Sequence, residues 1–149
     1  MFRLIKFEKY CSQNGADEIR EQTLKFINTI REAYPYSKKE YNFSKIKDVY
    51  LIIWQNDIVG FCEVEVQNIC IENAQKTKLY LHELHVLNDF HRKGIATKVI
   101  THILKLGLSI EFVVANDNTG MLNCIAKFEA KIKHEPKNVK NYIINPKRF

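Results

Sequence analysis

Glu83-Leu84-His85-Val86-Leu87-Asn88-Asp89-Phe90-His91-Arg92-Lys93-Gly94-Ile95-Ala96-Thr97 is the stretch on which the fold turns. Before it, Lys78–Leu87 reads as a strand rich in apolar residues. After it, Gly94–Gly107 is the clearest helix of the chain. Ile95, Val99, Ile100, Ile103, Leu104 and Leu106 make a broad apolar stripe, and Gly107 suits the C-terminal cap. A strand therefore feeds a helix through a short loop that ends in Arg92, Lys93 and Gly94. The first N–H groups of a helix have no intrahelical acceptor, and the helix dipole adds about half a positive charge there. Gly94 lets a ligand come close to the backbone, Ala96 keeps the first turn narrow, and the two cations stand beside the amides. These features suit a phosphate or pyrophosphate. The spacing is neither that of a P-loop nor that of a G-x-G-x-x-G dinucleotide fingerprint.

Working outward, Met1–Tyr10 reads as a strand and Ser12–Gly15 as a turn. Ala16–Ala33 reads as a helix with Ile19, Phe26, Ile27, Ile30 and Ala33 at helical spacing, stopped by Pro35. Tyr36–Lys47 is polar, aromatic and basic, and reads as a short helix or a loop. Asp48–Trp54 and Ile58–Val66 form an antiparallel hairpin about a Gln55-Asn56-Asp57 turn. Gln67–Lys76 reads as a looser connection. Beyond the central helix, Ile110–Ala115 is a short apolar strand and Met121–Phe128 a helix, and two last strands lie at Lys131–Lys133 and Asn141–Ile144. Hairpins followed by a strand-helix-strand crossover give an α/β chain of the α+β kind: a mixed, mostly antiparallel sheet with helices on both faces. Residues 1–149 read as a single domain, with no repeat or linker.

Composition narrows the function classes. Of 149 residues, 46% are apolar and 27% charged, which suits a globular domain and not a disordered one. Lys and Arg number 23 against 17 Asp and Glu, a net +6, so an anionic partner fits the charge. The basic residues are dispersed and no nucleic-acid motif is present, so nucleic acid is not the expected partner. No apolar run reaches the ~20 residues of a membrane span, and no signal peptide is visible. Cys11, Cys62, Cys70 and Cys124 form no C-x-x-C pair and no zinc spacing. Reduced thiols in a cytoplasmic protein without a metal are expected. Cys62 and Cys124 should pack as small apolar residues.

His91-Arg92-Lys93-Gly94-Ile95-Ala96 resembles the [QR]-x-x-G-x-[GA] signature of the GNAT superfamily of N-acyltransferases. Glu83-Leu84-His85-Val86 is similar to that family's fourth strand. Val114-Ala115-Asn116-Asp117-Asn118 resembles its V-x-x-x-N ending of the fifth strand, and Lys127-Phe128-Glu129-Ala130 sits where members carry a K-x-G-F type ending. The resemblance covers nearly the whole chain and implies a GNAT-like sheet with its fourth and fifth strands splayed. It implies acetyl-CoA as the donor, with no metal. The pyrophosphate would then sit on the amides of Arg92, Lys93, Gly94, Ile95, Ala96 and Thr97, with His91 donating to a phosphate oxygen. The pantetheine arm would pair with the main chain of Leu84 and Val86, Val86 N–H would polarise the thioester carbonyl, and Asn118 would hydrogen-bond the arm.

The chain departs from the family pattern at two places. His91 replaces Gln or Arg, and Ile125 stands where members often carry a general-acid Tyr, with Cys124 one helical step away. Glu83 is the leading candidate for the base, and His85, on the same strand face, is the second. His82 and Tyr80 fall on the opposite face as packing or surface residues. Tyr34, Tyr36, Tyr41 and Phe43 are candidates to line an acceptor site, and Glu63 and Glu65 either attract a cationic acceptor or form the solvent side of a strand. The expected reaction is acetyl (acyl) transfer to a primary amine of a small molecule, peptide or protein, by direct attack in a ternary complex. The rival is a CoA-binding module of the same fold without catalysis. A homodimer could form by pairing through Asn141–Ile144.

Overall fold

The computed structural model describes residues 1–32 and 48–146. In chain order the elements are β1 (Phe2–Lys6), α1 (Phe7–Gln13), α2 (Ala16–Glu32), β2 (Val49–Trp54), β3 (Asp57–Ile71), β4 (Ala74–Val86), α3 (Ile95–Lys105), β5 (Ser109–Ala115), α4 (Thr119–Ile125), β6 (Lys131–His134) and β7 (Val139–Ile144). A 3-10 turn, Asn88–Phe90, lies between β4 and α3. The strands are hydrogen-bonded in the order β1-β2-β3-β4-β5-β7-β6. The β4–β5 pair is parallel, whereas β1–β2, β2–β3, β5–β7 and β6–β7 are antiparallel. The mixed sheet read from the sequence is the one observed.

Two compact units make up the chain. The first holds β1, α1, α2, β2, β3 as far as Glu63, and Glu83–Lys93. Its core is Ile5, Phe7, Cys11, Leu24, Ile27, Val49, Leu51, Ile53 and Phe61. The strand expected over Met1–Tyr10 ends at Lys6, and the chain coils into α1 instead. The reason is visible in the spacing: Phe7 and Cys11, four residues apart, are buried together, with Tyr10 packed beside them. Ser12 Oγ and Asn14 Nδ2 donate back to the carbonyls of Glu8 and Tyr10, and Gly15 follows with φ +98°. The alternation of residues 1–10 is imperfect because only the first half alternates.

β2 turns into β3 through Gln55 and Asn56, both left-handed (φ 49° and 71°), as a two-residue hairpin requires. The register shifts between Ile52 and Ile53, opposite Gly60. Gly60 is there for a steric reason: a Cβ on it would lie 2.0 Å from the carbonyl oxygen of His85. Next to this close approach, Leu87 N–H donates to Val59 O at 2.8 Å.

The second unit holds Val64–His82 and the chain from Gly94 onward. The loose connection expected at Gln67–Lys76 is instead the continuation of β3 and β4 around a Glu72-Asn73 turn (φ 51° and 64°). Thr77 Oγ1 donates to Asn68 Oδ1 across this ribbon. Residues 72–77 are exposed, so the ribbon carries no apolar alternation to read. The β4–β5 ladder runs from Lys78↔Ser109 to Tyr80↔Glu111, while β5 stays paired with β7 as far as Ala115. α3 buries Ile95, Val99, Ile100 and Ile103 and packs on β5. Phe112 and Tyr142 stack at 5.8 Å between ring centroids. β7 pairs with β5 on one side and β6 on the other, so Asn141–Ile144 has no edge left for the expected pairing across a dimer.

Candidate functional site

The β4–α3 loop is shaped by three local features. Phe90 and His91 N–H donate to Leu87 and Asn88 carbonyls, closing the 3-10 turn. The His91 ring reaches back, placing Nε2 2.6 Å from the carbonyl oxygen of Val86. Arg92 then adopts φ 67° and Gly94 φ 73°, and the chain enters α3 with Lys98 N–H on Gly94 O at 3.0 Å. Gly94 is the N-cap, and a Cβ there would meet nothing within 4 Å, so its backbone angle and not crowding calls for glycine. Helix starts usually carry Asp or Glu, which offset the dipole. α3 has none in its first turn. His91, Arg92 and Lys93 are exposed, and Lys93 lies over the Phe90 ring at 5.8 Å. Ile95 is buried beneath the turn, while Ala96 and Thr97 are half-buried.

Within the second unit, Thr97 meets the end of α4. Its Oγ1 lies 3.6 Å from Cys124 Sγ and accepts from Lys127 Nζ at 3.4 Å. No role for Lys127 is legible in the sequence. Its ammonium is delivered to the positive end of α3, where the dipole opposes it. Asn118 caps α4: its Oδ1 accepts from Met121 N–H at 3.2 Å. Ile125 is buried at 5% exposure, and no proton donor stands at that position.

The other constellation lies in the first unit. Glu83 and His85 share a face of β4, with Glu83 Oε1 3.8 Å from His85 Nε2. Arg31, from the last turn of α2, grips the carboxylate at two points: Nε to Oε2 at 2.9 Å and Nη2 to Oε1 at 3.1 Å. Both side chains are largely buried, at 7% and 16% exposure. The His85 ring stacks on Phe61 at 4.8 Å. Arg31 was missed in the sequence, although a signal was there: it falls four residues after Ile27 and seven after Leu24, in the buried stripe of α2. Leu84 and Val86, on the alternate positions of β4, are half-buried.

Other candidates resolve into local structure. His82 is exposed, pairs with Glu65 at 2.9 Å and lies against Tyr80. The hydrogen bond from His82 holds the Glu65 carboxyl below its usual range. Burial pushes the Tyr80 hydroxyl up. Glu111, buried on β5, accepts from Lys78 Nζ and Lys133 Nζ at 2.8 Å each and from Asn141 Nδ2 at 3.3 Å. Burial pushes its pKa up, but the hydrogen bonds from Lys133, Lys78 and Asn141 outweigh it and hold the group at about 2. Cys62 and Cys124 are buried and free, as expected of small apolar side chains. Tyr34, Tyr36, Tyr41 and Phe43 lie outside the described residues. Among the described residues no set of three His, Cys, Asp or Glu is placed to hold a metal ion, and no helix is long and apolar enough to cross a membrane.

Residues 16–129 match the model of the acetyltransferase (GNAT) family. Among curated proteins, none matches the chain. Several solved structures share the fold. Arabidopsis thaliana Naa50 in complex with the bisubstrate analogue CoA-Ac-MVNAL is 18% identical with a TM-score of 0.63, over 99% of both chains. Arabidopsis thaliana NAA60 in complex with a bisubstrate analogue is 11% identical with a TM-score of 0.68, over 97% of both. The ribosomal-protein-S18-alanine N-acetyltransferase from Escherichia coli is 9% identical with a TM-score of 0.61, over 100% of this chain and 96% of that one.

Proposed function

The chain belongs to the acetyltransferase (GNAT) family, and from that premise we propose that it transfers an acetyl group from acetyl-CoA to a primary amine by direct attack. One observation carries the donor: a left-handed Gly94 opens α3 without any acid in the first turn, and Arg92 and Lys93 precede it. Main-chain N–H groups of Arg92–Thr97 then serve the pyrophosphate. Lys127, at Thr97 Oγ1, adds a cation whose place at that helix end an anion would justify. Val86 N–H and the main chain of Leu84 are the proposed contacts of the thioester arm, and Asn118 is a further proposed contact.

The amine lone pair attacks the thioester carbonyl carbon, the C–S bond breaks, CoA leaves as the thiolate, and the proton that nitrogen loses as the amide forms passes to that thiolate or to water. The ammonium proton must first go to the protein or to water. Glu83 and His85 are the proposed acceptors, held by Arg31 and Phe61. No protein nucleophile is required. The acceptor class proposed is the amine of a peptide or protein. This is supported by the folds the chain shares with Naa50, bound to CoA-Ac-MVNAL, and with an enzyme named for acetylating a ribosomal-protein alanine.

A second reading is favoured by one observation. Buried Ile125 leaves no donor at the usual general-acid position, which would suit a CoA-binding protein without turnover. Amines and peptides offered with acetyl-CoA, with free thiol measured, separate the two. Amine-dependent thiol release is expected; thermal stabilisation by acetyl-CoA without release points to binding alone. Gly94→Glu places a carboxylate on the phosphate site at a backbone angle that costs a non-glycine residue, and is expected to abolish stabilisation by acetyl-CoA. An unchanged response overturns the placement of the donor.

A further inference from the structure

The His91 side chain sits five residues beyond the end of the central strand, yet it is not directed away from that strand. Its Nε2 lies 2.6 Å from the carbonyl oxygen of Val86. A carbonyl carries no proton, so the ring nitrogen is the donor, which fixes the proton on Nε2. The atoms joined are the last residue of β4 and the last residue before the left-handed turn at Arg92. Between them, Phe90 N–H donates to Leu87 O and His91 N–H to Asn88 O, with Leu87 N–H held by Val59 O. The ring therefore closes the loop end to end, where the backbone bonds close only its middle.

We infer that His91 is a positioning residue for acetyl transfer: its imidazole braces the Val86 carbonyl and so fixes the end of β4, and it is not a ligand of the phosphate. This rests on the proposed function above. The residues that the resembled signature admits at this place, Gln and Arg, share with His a side-chain N–H donor. Each of them can supply the one hydrogen bond that the Val86 carbonyl takes. Losing the brace leaves the Val86 main chain free to shift, and a displacement of the reacting end costs rate wherever the phosphates are held.

Two donors separate a brace from a phosphate contact: acetyl-CoA, and acetyl-pantetheine, which lacks the phosphates. His91→Ala is expected to lower kcat/KM for both by the same factor, about five- to tenfold. His91→Gln, which keeps a donor, is expected to restore most of it for both. A loss confined to acetyl-CoA, a Gln variant no better than Ala, or no loss at all overturns the inference. Amide hydrogen exchange of the unliganded protein gives an answer independent of catalysis. Faster exchange over 87–91 in His91→Ala, recovered in His91→Gln, is expected; unchanged exchange overturns the brace. Should the unsubstituted protein release no thiol with any amine, the proposed reaction falls, while the exchange measurement still decides what His91 does.

Discussion

Glu83 shows how much a single position can hide. Its carboxylate was legible as a candidate because it alternates into the face of a central strand. What the sequence did not show is the guanidinium that grips it, since Arg31 lies 52 residues away on another element. The pair is largely buried, so removing one partner takes a close counter-charge from the other. Arg31→Ala is therefore expected to cost about 3 kcal/mol in urea unfolding. Glu83→Gln should cost less, because its amide oxygen still accepts from Arg31. The same Gln variant is expected to slow amine-dependent thiol release at least about tenfold while keeping the thermal shift with acetyl-CoA. Equal rates would remove Glu83 from the chemistry. Gly60 is the second case. Its sequence context, a glycine inside a strand, suggests close backbone approach, but only the structure names the carbonyl it makes room for. Gly60→Ala must push β3 off His85 and is expected to cost about 3 kcal/mol or more, read from the denaturation midpoint.

Among the elements, legibility followed burial. α3 was plain because its apolar residues repeat at the helical period, and β2 and β5 because each is a nearly continuous apolar run of strand length. β1 and α1 were merged into one strand because a seven-residue helix leaves too few turns to show its period. The outer half of the β3–β4 ribbon was read as loop because its residues face water. That ribbon turns through Glu72 and Asn73 in left-handed conformations that both residues adopt at a cost. Replacing them together by Asn-Gly is expected to raise stability by about 0.5–1 kcal/mol. A fall in thermal midpoint would mean that the turn is held by something other than its own backbone. α4 is short and relies on its cap, so Asn118→Ala is expected to lose about 1 kcal/mol.

At the scale of the molecule, family and fold were readable because signature, strand, Asn spacing and element order agree, and the family match over 16–129 bears this out. The acceptor was not readable, because no motif of the sequence names the amine. Stability against acid belongs to this scale too. Glu111 draws Lys78, Lys133 and Asn141 onto one buried carboxylate. Its folded pKa, about 2, lies below the ordinary 4.5. The stabilisation is thus complete above pH 4.5 and is lost as the pH falls towards 2, a term of at most about 3 kcal/mol. Glu111→Gln is expected to flatten this part of the stability–pH curve, measured by denaturant midpoints at each pH. A curve unchanged in slope would assign the acid sensitivity elsewhere.

The cysteines divide sharply. Cys11, Cys62 and Cys124 are buried, and burial pushes the Cys62 thiol up to about 12, out of reach of thiolate chemistry at neutral pH. Cys70 alone is exposed, on the β3–β4 ribbon. A maleimide dye should therefore couple once per folded molecule, giving the natural chain a ready fluorescent handle on an exposed part of that ribbon.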